Sequence, residues 1–323
     1  MLDDHFDTEG ALDPRWSVWR PSGRVEVARS AVRFALDDAR AGVYSDAQID
    51  DYTITAPAYF RWRPPLRMVA RARASQPAHP ASDVTPEEAG VSAQAASRFR
   101  FTPFDPNEPM EGGAPAGSNI LSPATPVAET PDISLTTQPY LLGTFGFGFW
   151  NAPVALRRLP RLPDAIWFFG ASLPSNMALV PGVAGWGWKA QVVHANRPGA
   201  VLAGAPAVGA ALWARLSGSP LAYNRAARWT RRVTGAQEAS LDALVDLRDW
   251  HEYTLEWRHD VARFWVDDAE ALVAPLPPQG PLGFVAWLDN QYAIATPLGE
   301  LRFGTLTTGP QWFELDYLRI TPL

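Results

Sequence analysis

Residues 143–195 read GTFGFGFWNAPVALRRLPRLPDAIWFFGASLPSNMALVPGVAGWGWKAQVVHA, and the reading of this stretch decides the fold. Three aromatic runs, Thr144–Trp150, Ala165–Gly170 and Gly185–His194, are separated by Pro, Gly and Asn. Each has the length and composition of a strand whose successive side chains go to opposite faces. So many aromatic side chains in neighbouring strands fit two arrangements: the middle of a large β-sandwich, or a sheet with one face used for binding.

Working outward, the pattern persists. Arg24–Leu36 reads as two short strands, and Ala58–Arg73 as a longer one interrupted at Pro64-Pro65. Trp250–Asp267 gives two alternating strands joined at Arg258-His259-Asp260, and Asp267-Asp268 supplies the next hairpin turn. Pro281–Leu288 and Trp312–Ile320 add two more. Roughly twelve to fifteen strands with little helix predict an all-β antiparallel sandwich. The chain is expected to form one domain over 1–323, with a Pro/Ala/Ser-rich insertion at 75–130. Short helices are expected at Thr85–Ala96 and Pro206–Leu216.

Composition excludes several function classes. A net charge of −6 argues against a general nucleic-acid surface. Arg61, Arg63, Arg67, Arg71 and Arg73 alternate along one segment and read as a solvated sheet face. The absence of cysteine removes disulfides, thiolate catalysis and Cys-ligated zinc. The start, MLDDHFDTEG, lacks a basic and an apolar signal region, and no run matches a membrane span. A cytoplasmic protein is expected if that start is native.

The run Trp250-His251-Glu252-Tyr253-Thr254-Leu255-Glu256-Trp257, with Arg263-Phe264-Trp265-Val266-Asp267, resembles a hairpin of laminarinase- and lichenase-like glycoside hydrolases. Glu314–Ile320 is similar to their closing strand, and Gly143–Trp150 with Ala165–Phe169 to the pair before their catalytic strand. The resemblance covers about half the chain and implies a concanavalin A-like jelly roll. That family draws two carboxylates, about 5–5.5 Å apart, from one strand of pattern Glu-x-Asp-x-x-Glu. The matching strand here, Gly185–Val193, is GWGWKAQVV and contains no acid. No catalytic residue carries over, and retaining glycosidase activity of the laminarinase type is not expected.

Alternation puts Trp186, Trp188, Ala190 and Val192 on one face of that strand, and Gly187, Lys189, Gln191 and Val193 on the other. Fourteen tryptophans are an excess that a core explains in part. Flat aromatic area beside amides and charges also suits a sugar platform or an apolar-ligand pocket. The candidate ligand-binding residues are Trp150, Asn151, Trp186, Trp188, Lys189, Gln191, His194, Trp287, Asp289, Asn290 and Gln291. The five histidines show no metal-ligand spacing, so neither metal nor cofactor is expected. The resulting expectation is a non-hydrolytic protein holding a glycan or small molecule on an aromatic concave face. Neither nucleic acid nor membrane is expected as a partner, and the oligomeric state is left open. Two alternatives stand beside it: an enzyme using His194, Lys189 or Asp289 on a sugar or hydrophobic metabolite, and a protein-interaction module.

Overall fold

The computed structural model describes residues 1–8, 10–53, 59–78, 140–151, 164–177, 179–180, 182–195, 235–295 and 301–323. The expected insertion falls mostly, and both expected helices wholly, outside the described residues. Among those residues there is no helix. The strands run in chain order as β1 (Leu2–Asp4), β2 (Ser17–Trp19), β3 (Arg24–Ala28), β4 (Ala31–Leu36), β5 (Asp46–Asp50) and β6 (Leu66–Ala74). Next come β7 (Thr144–Trp150), β8 (Asp164–Ala171), β9 (Gly187–His194), β10 (Gln237–Ser240), β11 (His251–Trp257) and β12 (Val261–Val266). The last are β13 (Ala269–Pro275), β14 (Gly283–Asp289), β15 (Gln291–Ala295), β16 (Leu301–Thr305) and β17 (Gln311–Pro322).

Two large antiparallel sheets result, beside a two-stranded one of β15 and β16. One is ordered β13-β12-β11-β6-β17-β4-β3, with β1 also paired to β17; the other is ordered β10-β9-β8-β7-β14-β5-β2. The fold is an all-β antiparallel sandwich, as the strand pattern predicts. The hairpin turn at Asp267-Asp268 has φ of 46° and 69°, the two left-handed residues that a two-residue turn matching strand twist requires.

One apolar cluster fills the space between the sheets. Phe145, Phe147 and Phe149 of β7 point into it, with Phe168 of β8 and Phe284 of β14. Tyr253, Leu255 and Trp257 of β11 and Phe313 of β17 meet them from the other sheet. Trp188 of β9 belongs to this cluster: it is fully buried and stacks on Phe145 at 5.3 Å and 8°. As a ligand platform Trp188 is therefore corrected. Strand alternation turns it inward with Ala190 and Val192, away from any ligand.

The other face of the eight-stranded sheet is less wet than its charges suggest. Arg73 lies between Trp250 (4.5 Å) and Trp312 (5.3 Å), and Arg33 covers the same Trp312 at 4.6 Å. Glu314, whose strand alternation suggests a solvent-facing acid, is buried between these guanidinia, at 2.6 Å from Arg33 and 2.8 Å from Arg73. Stacking and ion pairing together exclude water from it.

Truncating Trp188 leaves a core cavity that its aromatic neighbours cannot close. Trp188→Ala is expected to cost about 3–5 kcal/mol, read by chemical denaturation. A loss below 1 kcal/mol would contradict a core role.

Candidate ligand face on the seven-stranded sheet

The outward residues of the seven-stranded sheet form a second aromatic layer. On β7 the inward phenylalanines alternate with Gly146 and Gly148, so the outer face of that strand is bare. Strands β8 and β14 flank it and are about 9.5 Å apart by sheet spacing. Even so, Trp167 of β8 and Trp287 of β14 meet across β7 with ring centroids 5.4 Å apart. Phe169 joins both, at 5.4 Å from Trp167 and 6.0 Å from Trp287. A Cβ on Gly148 would stand 2.5 Å from Trp167 Cβ, so only glycine permits this closure. Phe169 and Trp287 are buried in the layer, while Trp150 and Trp167 are half-buried and present the accessible indole surface. These two rings lie 6.0 Å apart, Trp150 Nε1 donating to the Tyr52 hydroxyl at 2.8 Å and Trp167 Nε1 to Gln191 Oε1 at 2.8 Å.

On one side of the layer lies a polar network. Gln191 Nε2 donates to Glu238 Oε2 at 2.9 Å, and Lys189 Nζ is 3.5 Å from that oxygen. The other Glu238 oxygen accepts from the Leu179 and Val180 amides at 3.0 and 2.9 Å, which fastens that loop over β9 and β10. Burial holds Lys189 below its ordinary ammonium range, against the opposing pull of Glu238. The Lys189 and Gln191 side chains are both buried: Gln191 is hydrogen-bonded to Glu238, and Lys189 is ion-paired with it although its Nζ makes no hydrogen bond.

On the other side stand carboxyls. Strand β5 reads Asp46-Ala47-Gln48-Ile49-Asp50, with Ala47 and Ile49 in the core and Asp46, Gln48 and Asp50 turned outward. Asp50 Oδ1 accepts from the Tyr52 and Thr53 amides and the Thr53 hydroxyl. Asp46 is paired in register with Asp289 of β14, and Asp289 with Thr144 of β7. Asp289 Oδ1 accepts from Thr144 N (3.1 Å), Thr144 Oγ1 (2.9 Å) and Gln291 N (2.9 Å). Asp46 Oδ2 accepts from the Tyr44 hydroxyl at 2.8 Å, whereas its Oδ1 is buried without a hydrogen bond. Burial pushes Asp289 up to about 7, against its three donors. Burial, then the charge of Asp289, drives Asp46 well above the carboxylate range.

The remaining sequence candidates are placed as follows. Asn290 is fully buried; its Oδ1 accepts from Ser45 N, and its Nδ2 donates to Val43 and Leu306 carbonyls, a structural knot with no group left over. Asn151 Oδ1 accepts from Asp164 N and closes the β7–β8 end. Gln291 starts β15, and Trp186 is half-buried just before β9. His194 shares the inward parity of Trp188, with Nδ1 3.2 Å from Leu276 O at the sandwich edge. Lys189 points outward from the same strand, and Asp289 lies three strands away, about 14 Å by sheet spacing. His194, Lys189 and Asp289 therefore do not converge, and the enzyme alternative built on them is corrected. Trp167, Phe169, Asp46, Gln48, Asp50 and Glu238 are among the members of this face absent from the sequence candidates. The alternation of Asp46, Gln48 and Asp50 against Ala47 and Ile49 was the available signal for three of them.

No family model and no curated protein sequence matches this chain. Among solved structures it is similar to an immunostimulatory antigen and pseudo beta-1,3-glucanase of Mycobacterium tuberculosis, at 14% identity and TM-score 0.45, covering 100% of this chain and 98% of that one. It is likewise similar to the catalytic domain of an endo-1,3-beta-glucanase (laminarinase) from Thermotoga petrophila, at 10% identity and TM-score 0.45, covering 99% and 96%. An endo-beta-1,3-glucanase from Pyrococcus furiosus gives 9% and 0.44, covering 99% and 92%.

The raised carboxyl of Asp289 has a definite signature in stability. In the folded state it holds its proton up to about pH 7, while the unfolded carboxyl releases it near 3.8. Between those values the folded state binds more protons at this site, so the Asp289 contribution to stability falls as pH rises from about 4 to 7 and then levels. The loss is on the order of 4 kcal/mol. Asp289→Asn keeps the acceptor and supplies a donor toward Asp46. It is expected to raise the melting temperature at pH 8 and leave it unchanged near pH 4. Equal displacement from the wild type at both pH values would contradict the assignment.

Proposed function

We propose that this chain binds carbohydrate on the outer face of the seven-stranded sheet, without the cleavage chemistry of the enzymes its hairpin resembles. The observation that carries the reading is the pair of half-buried indoles, Trp150 and Trp167, held by hydrogen bonds at their nitrogens. A sugar ring needs flat apolar area with directional polar groups at its margin. The indoles supply the first, and the half-buried Gln48 of β5 lies along the same face. The strand that the resemblance matches to the family's catalytic one supports the non-hydrolytic half of the reading, since it carries no acid. Its outward residues are Lys189 and Gln191, both engaged with Glu238.

Trp167→Ala is expected to abolish retention on a glycan array while Trp167→Phe keeps part of it, both variants being checked for native near-ultraviolet circular dichroism. Undiminished retention by a folded Trp167→Ala would overturn the reading.

A further inference from the structure

The sandwich is not filled to its edge where β2 and β3 end the two large sheets. Register fixes which of their side chains face inward. Val18 is paired with Ile49, Val25 with Phe34 and Val27 with Val32, and all three partners belong to the core. Cross-strand partners share a face, so Val18, Val25 and Val27 point between the sheets. Only Val27 is buried; Val25 is half-buried and Val18 is 41% exposed. Inward parity combined with exposure marks a place where the core runs out of side chains.

An open cleft of about 590 Å³ lies there. The segment Gly10–Trp16 forms its other wall, tied to β3 by the Gly10 amide, which donates to Val27 O at 3.0 Å. Leu12 and the buried Trp16 complete an apolar lining with the three valines. Small-molecule sites run from about 300 to 1,000 Å³, and the cleft falls within that range. Its charged lining is Asp13, Arg20 and Glu26. Asp13 is paired with Arg15 at 2.8 Å, which holds its carboxyl below the usual range. Glu26 is paired with Arg24 at 2.9 Å, and Arg24 also holds Asp37 at 2.8 Å. Arg20 is exposed and makes no ion pair or side-chain hydrogen bond among the described residues. The acids of the rim are thus engaged already, and one guanidinium is left over.

We infer that this cleft is a second binding site, for a medium-chain aliphatic acid whose tail lies between the sheet edges and whose carboxylate meets Arg20. The tail removes Leu12, Val18 and Val25 from water, as a further core side chain would. The planar fork of the guanidinium matches the two carboxylate oxygens. The site stands apart from the carbohydrate reading. On β2, Trp19 shares the outward face of Gln48, whereas Val18 faces the other way.

The test titrates the whole chain, labelled at valine methyls and tryptophan indoles, with octanoate and separately with 1-octanol, its neutral counterpart. Octanoate is expected to bind saturably, with shifts concentrated at Val18, Val25 and the Trp16 indole. A hydrogen bond to a charged group is worth roughly tenfold or more in affinity, so octanol should bind weaker by about that factor. Arg20→Gln should bring octanoate down to the octanol level, and Arg20→Lys should keep part of the difference. Val18→Phe, which fills the mouth, should weaken both ligands, so the apolar and charged halves are tested by separate variants, each checked for native near-ultraviolet circular dichroism. Octanoate shifts absent or centred outside the cleft would overturn the inference. So would equal affinity for acid and alcohol, or octanoate affinity unchanged in a folded Arg20→Gln or Val18→Phe.

Discussion

Everything on the outer face depends on two absent side chains. Strand β7 carries phenylalanine toward the core and glycine away from it, so one strand supplies the densest part of the interior and a bare floor outside. Across that floor Trp167 and Trp287 touch from strands that sheet geometry keeps about 9.5 Å apart. A methyl group at either glycine would meet the backbone of β8 and hold the rings away. The aromatic face is thus a consequence of strand chemistry, and it is part of the fold's packing as well as of its surface.

A face of this kind is assembled from two unequal flanks. Toward β9 and β10 Glu238 is paired with Lys189 and accepts from Gln191 and the Leu179 and Val180 amides. Toward β5 and β14 two acids are paired in register without a cation among the described residues. Buried charge left uncompensated shifts to its neutral form. The first flank therefore carries an internal ion pair, and the second holds acids whose neutral forms burial favours.

The sandwich was legible because its cause is local. Alternation within β7, β8 and β9 shows in the residues themselves, and the hairpin at Asp267-Asp268 is a two-residue turn read directly from its flanks. The candidate site was only half legible, since alternation separates two faces without saying which is inward. Trp188 and Lys189 both stand among the sequence candidates although neighbours on a strand point opposite ways; packing against Phe145 makes Trp188 core. Asp289 was recognisable as a polar end to an apolar strand. Asp46 shows in the alternation of β5, but its pairing with Asp289 does not, because β14 and β5 come from distant parts of the chain.

The central claim is that ligand meets this protein on the indoles of Trp150 and Trp167. Hydroxyl-radical footprinting of all fourteen tryptophans, with and without a pool of soluble glycans, tests it most directly. The account predicts protection concentrated at Trp150 and Trp167, with the core residue Trp188 unreactive in both states. Protection centred on Trp250 and Trp312 of the opposite sheet, or none at Trp150 and Trp167, would contradict it.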